Sequence, residues 1–405
     1  STGPPMAEVL GGSISLLGRA AAWLALLHLS CSISVVTFGC EHVPPSTLRF
    51  LVAALGLLAL SELLPLTVVA GSLALCVAVY NEVINAPSRP HPSFARRIAI
   101  VTGSSSGIGE EVAAQLLQSG AIVVFACRSE KRAQQAIARC LQRSAAPPSA
   151  ARFLPLELCD AASVRRFAER VVSECPKIDL LVCNAGAMCK DRVLTSNGLE
   201  MHMAANAIGH HLLATLLLPK LRECASSRIV QVVSSMHKLG GDEMMAQLLA
   251  DPMSERSFNM FHAYSRSKLA QVCTSFVMHS RELYDASSSR RRAVPSVAIH
   301  PGNPDTAVVR DFPLWLRAFY GCFFPIFPLF KGTVARAGAA VVYACHCPEG
   351  EAELPIYLER TRVVPPAASV LASKRAERVV EMLDGFVRPW NAPLGCRVPR
   401  ECNFR

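Results

Sequence analysis

The chain has 405 residues, 51% of them apolar and 18% charged, with a mean hydropathy of +0.31; this excludes a disordered or linker-like protein and implies a large buried core. Its 27 Pro and 23 Gly follow no period, which excludes collagen and repeat architectures. The formal charge is +10, yet residues 1–95 hold three Arg against four Glu, so the basic excess lies in the later part, where it suits solubility, anionic lipid or a phosphorylated cofactor; no nucleic-acid partner is expected.

The first elements in chain order are apolar. Residues 20–38 carry no formal charge and residues 50–80 carry one, Glu62, where about 20 apolar residues suffice for a span. Two membrane segments are expected, with membrane lipid as partner; Pro65 leaves a kinked, tilted or re-entrant form open for the second. No basic region precedes the first, so a cleaved leader is not expected. Arg89, Arg96 and Arg97 mark a cytosolic flank. The 16 Cys, several inside apolar runs (Cys127, Cys183, Cys273), then read as reduced thiols, and Cys345-His346-Cys347 is too tightly spaced for zinc. The expected organisation is a membrane anchor (1–85), a linker (86–95), a catalytic domain (96–385) and a tail (386–405).

From Arg97 onward, apolar runs alternate with amphipathic stretches. Strands are expected at 98–102, 121–127, 152–158, 178–183, 228–233 and 294–299; helices at 110–118, 130–142, 161–174, 199–222 and 264–284. Residues 333–347 read as a further helix and 355–358 as a last edge strand, with 287–292 an exposed loop and no function for the tail. Continuous apolar strands between helices indicate an α/β fold, a Rossmann-type doubly wound parallel sheet. The first turn, TGSSSGIG (Thr102–Gly109), lies between a strand and a helix; its glycines permit a tight turn and close approach of a pyrophosphate to the helix N-terminus.

With that turn, NAG (Asn184–Gly186), GLEMHMAANAIGHHLL around Asn206, VVSS ending at Ser235, YSRSK (Tyr264–Lys268) and HPG (His300–Gly302), the chain resembles the short-chain dehydrogenase/reductase family over about residues 96–385, and within it the membrane-bound retinol-dehydrogenase-like group. The resemblance implies a nicotinamide cofactor bound by Gly103, Ser105, Ser106, Gly107, Ile108, Gly109, Asn184, Ala185, Gly186, Tyr264, Lys268, Pro301, Gly302 and Thr306, with Asp160 and the Ala161 backbone at the adenine. It makes Tyr264 the proton donor and acceptor, Lys268 a ribose ligand, and Asn206 the holder of a water. Ser235, the second of its pair, matches the position that holds the substrate oxygen, and Ser234 is the alternative. Tyr264 and Lys268 stand four apart, on one helix face, where an ammonium favours the phenolate. The second strand ends in Cys127-Arg128 without an acid; Arg128 can pair with a 2′-phosphate, so NADP(H) is expected.

Between Ser235 and Tyr264 lies an insert of the group's kind, with an apolar helix at 244–250. His211 replaces an aromatic residue, Pro304 alters the loop after Gly302, and residues 312–330 read as a substrate lid or membrane-interface segment. The resemblance implies oxidation or reduction of a lipophilic alcohol or carbonyl on the endoplasmic reticulum or a similar membrane, with a homodimer through the helices bearing Asn206 and Tyr264. A fatty-acyl or sphingoid ketone reductase and a silent nucleotide-binding scaffold are the alternatives. No metal is expected.

Overall fold

The computed structural model describes residues 93–289, 292–302, 333–347 and 355–394. The expected membrane segments, residues 312–330, Pro304 and Thr306 lie outside them. Among the described residues no helix is long and apolar enough to cross a membrane.

The elements in chain order are β1 (Ile98–Thr102), α1 (Gly107–Gln118), β2 (Ile122–Cys127), α2 (Glu130–Ser144), β3 (Ala151–Pro155), α3 (Ala161–Glu174), β4 (Leu180–Cys183), a π-helical turn (Met203–Ile208) running into α4 (Gly209–Leu221), and β5 (Arg228–Val232). After these come α5 (Gly241–Ala250), α6 (Met260–Ser289), β6 (Ser296–His300), α7 (Val334–Ala344), β7 (Tyr357–Glu359), β8 (Arg362–Val364), α8 (Ala368–Leu371) and α9 (Ser373–Val387). The sheet runs β3-β2-β1-β4-β5-β6-β7-β8, parallel throughout except for β8. Its strand order reverses between β1 and β4, and the crevice at the carboxyl ends of those strands is where such sheets take ligands.

Both faces of the sheet are covered, which is why the strands read as unbroken apolar runs. Ile98 and Ile100 point into the core layer beneath α3, α4 and α6; Ala99 and Val101 point into the opposite layer with α1 and α7.

Three expectations change. The strand at 355–358 is not the edge: β7 starts at Tyr357, and β8 folds back on it through a turn in which Arg360 takes a left-handed φ of 59°. Helix α6 begins earlier, at Met260, because Asn259 Oδ1 accepts from the amides of Phe261 and His262 (3.0 and 3.1 Å). With no Gly or Pro to stop it, α6 also runs to Ser289, into the stretch expected as loop. The last helix, α9, goes unread in the sequence. Its buried Ala376, Val379, Val380, Leu383 and Val387 repeat at helical spacing and pack against α6. Asp384 on α9 accepts from His211 Nε2 (2.7 Å) and pairs with Arg281, so the unexpected histidine at 211 ties α4 to α9. The start of the tail is also fixed: the buried Arg165 guanidinium donates to the carbonyls of Trp390, Ala392 and Pro393.

Candidate active site

At the end of β1 the chain must turn sharply and pass close to β4. Gly103 and Gly107 take left-handed φ values of 68° and 61°; a Cβ on Gly103 would lie 2.9 Å from Ala185 Cα, and one on Gly109 would lie 2.4 Å from Asn184 Nδ2. The glycines therefore let the first turn rest on the NAG segment. Thr102 fastens the two: its Oγ1 accepts from the amides of Asn184 and Ala185 (2.9 Å each), and its carbonyl accepts from Asn184 Nδ2 (2.9 Å). His210 extends this lock. Its Nδ1 donates to the Asn206 carbonyl (3.0 Å), leaving Nε2 to accept from Thr102 Oγ1 (2.9 Å), and burial pulls its pKa down to about 3, so it stays neutral.

The N-terminus of α1 faces this cradle. Ser106 is its N-cap, exposed and extended; Ser105 and Ile108 are partly exposed beside it. Glu110 in the first turn is neutralised by a two-pronged contact from Arg139 (2.7 and 2.8 Å), so its charge does not oppose an anion at the free amides. The glycine cradle, free helix amides and neutralised first-turn acid fit a dinucleotide pyrophosphate.

Arg128, at the start of the β2–α2 connection, is exposed, and Glu157 from beyond β3 stands 3.5 Å from its guanidinium. The strand itself ends without an acid, as expected; the fold brings one in from a neighbour. Arg132, four residues on, donates to Ser106 Oγ (3.3 Å), so two guanidinium groups border the cradle where one was expected. Asp160 is the N-cap of α3, with Oδ1 accepting from the Ala162 amide (2.9 Å).

The catalytic candidates gather at the ends of β4 and β5 and on the inner face of α6. Asn206 lies in the π-helical turn, fully buried: its Oδ1 accepts from the Ala187 amide (2.7 Å), and its Nδ2 donates to the Ala187 carbonyl (3.1 Å) and Ser267 Oγ (2.9 Å). A π-turn re-aims one residue within a helix, which is how Asn206 reaches the NAG segment. Lys268 Nζ donates to the Val232 carbonyl (3.0 Å) and Gln271 Oε1 (2.9 Å) and stands 5.8 Å from the centre of the Tyr264 ring. Pro301 is buried and Gly302 takes a φ of 97° with Arg360 beside it, at the end of β6.

Two features of this cluster bear on the expectations. Of the two serines, Ser234, the alternative of the pair, is the one whose side chain favours the ionised form of the Tyr264 hydroxyl. Strand β5 ends at Val232 and a 3-10 turn starts at Ser235, so Ser234 is the last extended residue before that turn. The Lys268 ammonium also does not lower the phenol: burial outweighs the Ser234 bond and pushes Tyr264 up to about 12, while burial brings Lys268 down to about 7. Thr102 and His210 lie in the quoted motifs but were given no role, and Gln271 and Arg132 went unnoticed in the sequence. Gln271 was the most legible, three residues past Lys268 on the same helix face.

The Lys268 shift has a measurable consequence. Its folded value, about 7 against the ordinary 10.5, means the unfolded chain binds one more proton between those limits, so stability rises with pH there and is lost as pH falls to 7. Buried thiols such as Cys273, raised to about 12 from 9.0, act oppositely above pH 9. Between pH 7 and 9 the free protein should gain up to about 1.4 kcal/mol per pH unit from this group, and Lys268→Met should flatten that slope in denaturant titrations. Equal slopes in both proteins would show that Lys268 is solvated.

A glycine cradle at the β1–β4 switch point, with a Tyr-x-x-x-Lys pair, a serine and an asparagine around its mouth, defines an oxidoreductase of the Rossmann class. The chain belongs to the short-chain dehydrogenase/reductase family, in its retinol-dehydrogenase-like group. The family model described as short chain dehydrogenase matches residues 97–246. Polyprenol dehydrogenase of Mus musculus is 37% identical over 262 residues, 63% of this chain and 73% of that protein. Retinol dehydrogenase 14 of Mus musculus is 31% identical over 308 residues, 72% of this chain and 87% of that protein. Among solved structures, a Mycobacterium paratuberculosis protein aligns with a TM-score of 0.56 at 24% identity, covering 76% of this chain and 98% of that one. A Shigella flexneri short chain dehydrogenase complexed with NADP aligns at 0.50 with 21% identity, covering 66% and 98%. These two show the fold alone.

Proposed function

We propose that this protein is an NADP(H)-dependent oxidoreductase of the endoplasmic reticulum or a similar membrane, its catalytic domain in the cytosol, interconverting a lipophilic alcohol with its aldehyde or ketone. Retinoid-, steroid- and polyprenol-like compounds are the substrate class. The observation that carries the reading is the gathering of Tyr264, Lys268 and Asn206 at the ends of β4 and β5, with Lys268 Nζ 5.8 Å from the centre of the Tyr264 ring and Asn206 joining the NAG segment to α6. When bound, the nicotinamide supplies the hydride acceptor or donor. Tyr264 takes the proton from, or returns it to, the substrate oxygen, and the Ser234 hydroxyl holds that oxygen. Lys268 is close enough to Gly186 and Tyr264 to bind the ribose and supply the charge the phenol lacks in the free protein, while Asn206 holds the NAG segment against α6. The names of the polyprenol and retinol relatives support a lipophilic substrate, and the apolar segments at 20–38 and 50–80 support the membrane.

Arg128 and Arg132 support NADP(H) over NAD(H), because a 2′-phosphate meeting two guanidinium groups gains charge-assisted hydrogen bonds. Membranes containing the protein, given a panel of lipid alcohols and carbonyls with each cofactor, should change nicotinamide absorbance with NADP(H) and at least one lipophilic substrate. Arg128→Ala should weaken NADP(H) about tenfold to a hundredfold and NAD(H) little. Equal weakening would remove the phosphate role, and a wild type inert on the whole panel would remove the proposed activity.

A further inference from the structure

The mechanism leaves one buried ionisable pair beside Tyr264 unused. Glu200 and His202 open the helix that carries Asn206, and both are essentially without solvent exposure. Glu200 Oε1 accepts from the His202 amide (3.1 Å) and from His202 Nδ1 (2.6 Å), and Oε2 accepts from the Met203 amide (3.0 Å). On the other side of the ring, Nε2 accepts from the Cys189 amide (2.9 Å). A carboxylate can only accept and an amide N–H can only donate, so the imidazole carries its proton on Nδ1 and its orientation is set at both nitrogens. Turning the ring over would set C–H groups against the Glu200 carboxylate and the Cys189 amide in place of the two ring hydrogen bonds.

This fixed ring touches two others. Its centre lies 6.3 Å from that of Tyr264, nearly perpendicular at 77°, and 6.0 Å from that of Phe258, in the insert before α6. A pair that only capped a helix would need neither contact. The Lys268 ammonium stands 5.8 Å from the Tyr264 ring centre, so the His202 ring and this charge are two groups set against the Tyr264 ring. The loop after NAG, through Cys189, and the insert, through Phe258, both meet at His202, so the segments flanking the mouth are registered to Tyr264 through one imidazole.

We propose that Glu200 and His202 form a carboxylate–imidazole brace that sets the position of the Tyr264 ring, making them positioning residues for proton transfer. The inference rests on the oxidoreductase reading for its catalytic consequence, but its structural core does not. A displacement of about 1 Å at the reacting group can cost about a hundredfold in rate while leaving cofactor contacts intact.

The test uses the full chain labelled with 3-fluorotyrosine. Among its 6 tyrosines, the Tyr264 resonance is the one that disappears in Tyr264→Phe. In His202→Gln, which keeps an acceptor for the Cys189 amide but removes the ring, the Tyr264 resonance should move by more than its linewidth while the others stay. On an active substrate, kcat should fall about 30- to 100-fold, with KM and NADP(H) affinity within about threefold. Glu200→Gln, which keeps the ring but weakens its anchor, should move the same resonance and lower kcat about tenfold; it serves as the second variant if His202→Gln does not fold. An unmoved Tyr264 resonance in a folded variant overturns the brace, as does a kcat within threefold of wild type. If the wild type turns nothing over, the oxidoreductase reading fails, and the fluorine resonance still decides the brace.

Discussion

Tyr264→Phe should reduce turnover below about a tenth of wild type, and by two to four orders of magnitude if proton transfer limits the reaction, while NADP(H) affinity changes little. The structure separates the two effects. The hydroxyl lies beside Ser234, where the proposed reacting oxygen would be held; the glycine cradle, the α1 amides, Arg128 and Arg132 lie at the ends of β1 and β2 and do not use the phenol. In the free protein the phenol is held up at about 12 by burial, so an ammonium on Lys268 must be supplied for it to exchange a proton near neutral pH. Binding an anionic dinucleotide close to Lys268 favours its charged form, which couples cofactor loading to the competence of Tyr264. Stopped-flow turnover together with fluorescence titration of NADPH checks this prediction. A Phe variant retaining more than a tenth of the rate would remove acid/base catalysis by this residue.

Much of this site is legible because its chemistry depends on short local spacings. Glycines at 103 and 109 are needed where the turn approaches Ala185 and Asn184, Gly107 is needed for its left-handed φ, and Tyr264 and Lys268 share a helix face by their spacing of four. The alternation of strands and helices is likewise local. What stays hidden depends on contacts between segments far apart in sequence. Glu157 reaches Arg128 across 29 residues and His210 reaches Thr102 across 108, each contact joining segments that no single motif spans. The α9 pattern is amphipathic enough to be read, but its role is not, because Asp384 meets His211 across 173 residues. The sign of the Tyr264 shift is hidden for another reason: spacing shows which charges are neighbours, whereas the desolvation that outweighs them depends on how much protein surrounds the hydroxyl.

The choice between adjacent serines tests that division sharply. Ser234→Ala should lower kcat by about 10²–10³, the loss seen when one donor to a developing oxyanion is removed, whereas Ser235→Ala should stay within about threefold. Ser234 keeps the extended conformation, with φ −136° and ψ 148°, and its hydroxyl meets Tyr264; Ser235 is already inside the following 3-10 turn. His237 holds that turn in place, its Nδ1 donating to the Ser234 carbonyl (2.7 Å) and its Nε2 accepting from the Ala367 amide (3.2 Å), both as a neutral ring with its pKa drawn down to about 4 by burial. The serine position is thus tied to the segment after β8 and does not slide by one residue. Steady-state kcat for the two alanine variants, with NADP(H) affinity as the control for folding, decides the assignment. A large loss in Ser235→Ala with Ser234→Ala unaffected would return the role to Ser235 and require β5 to extend one residue further in the substrate complex.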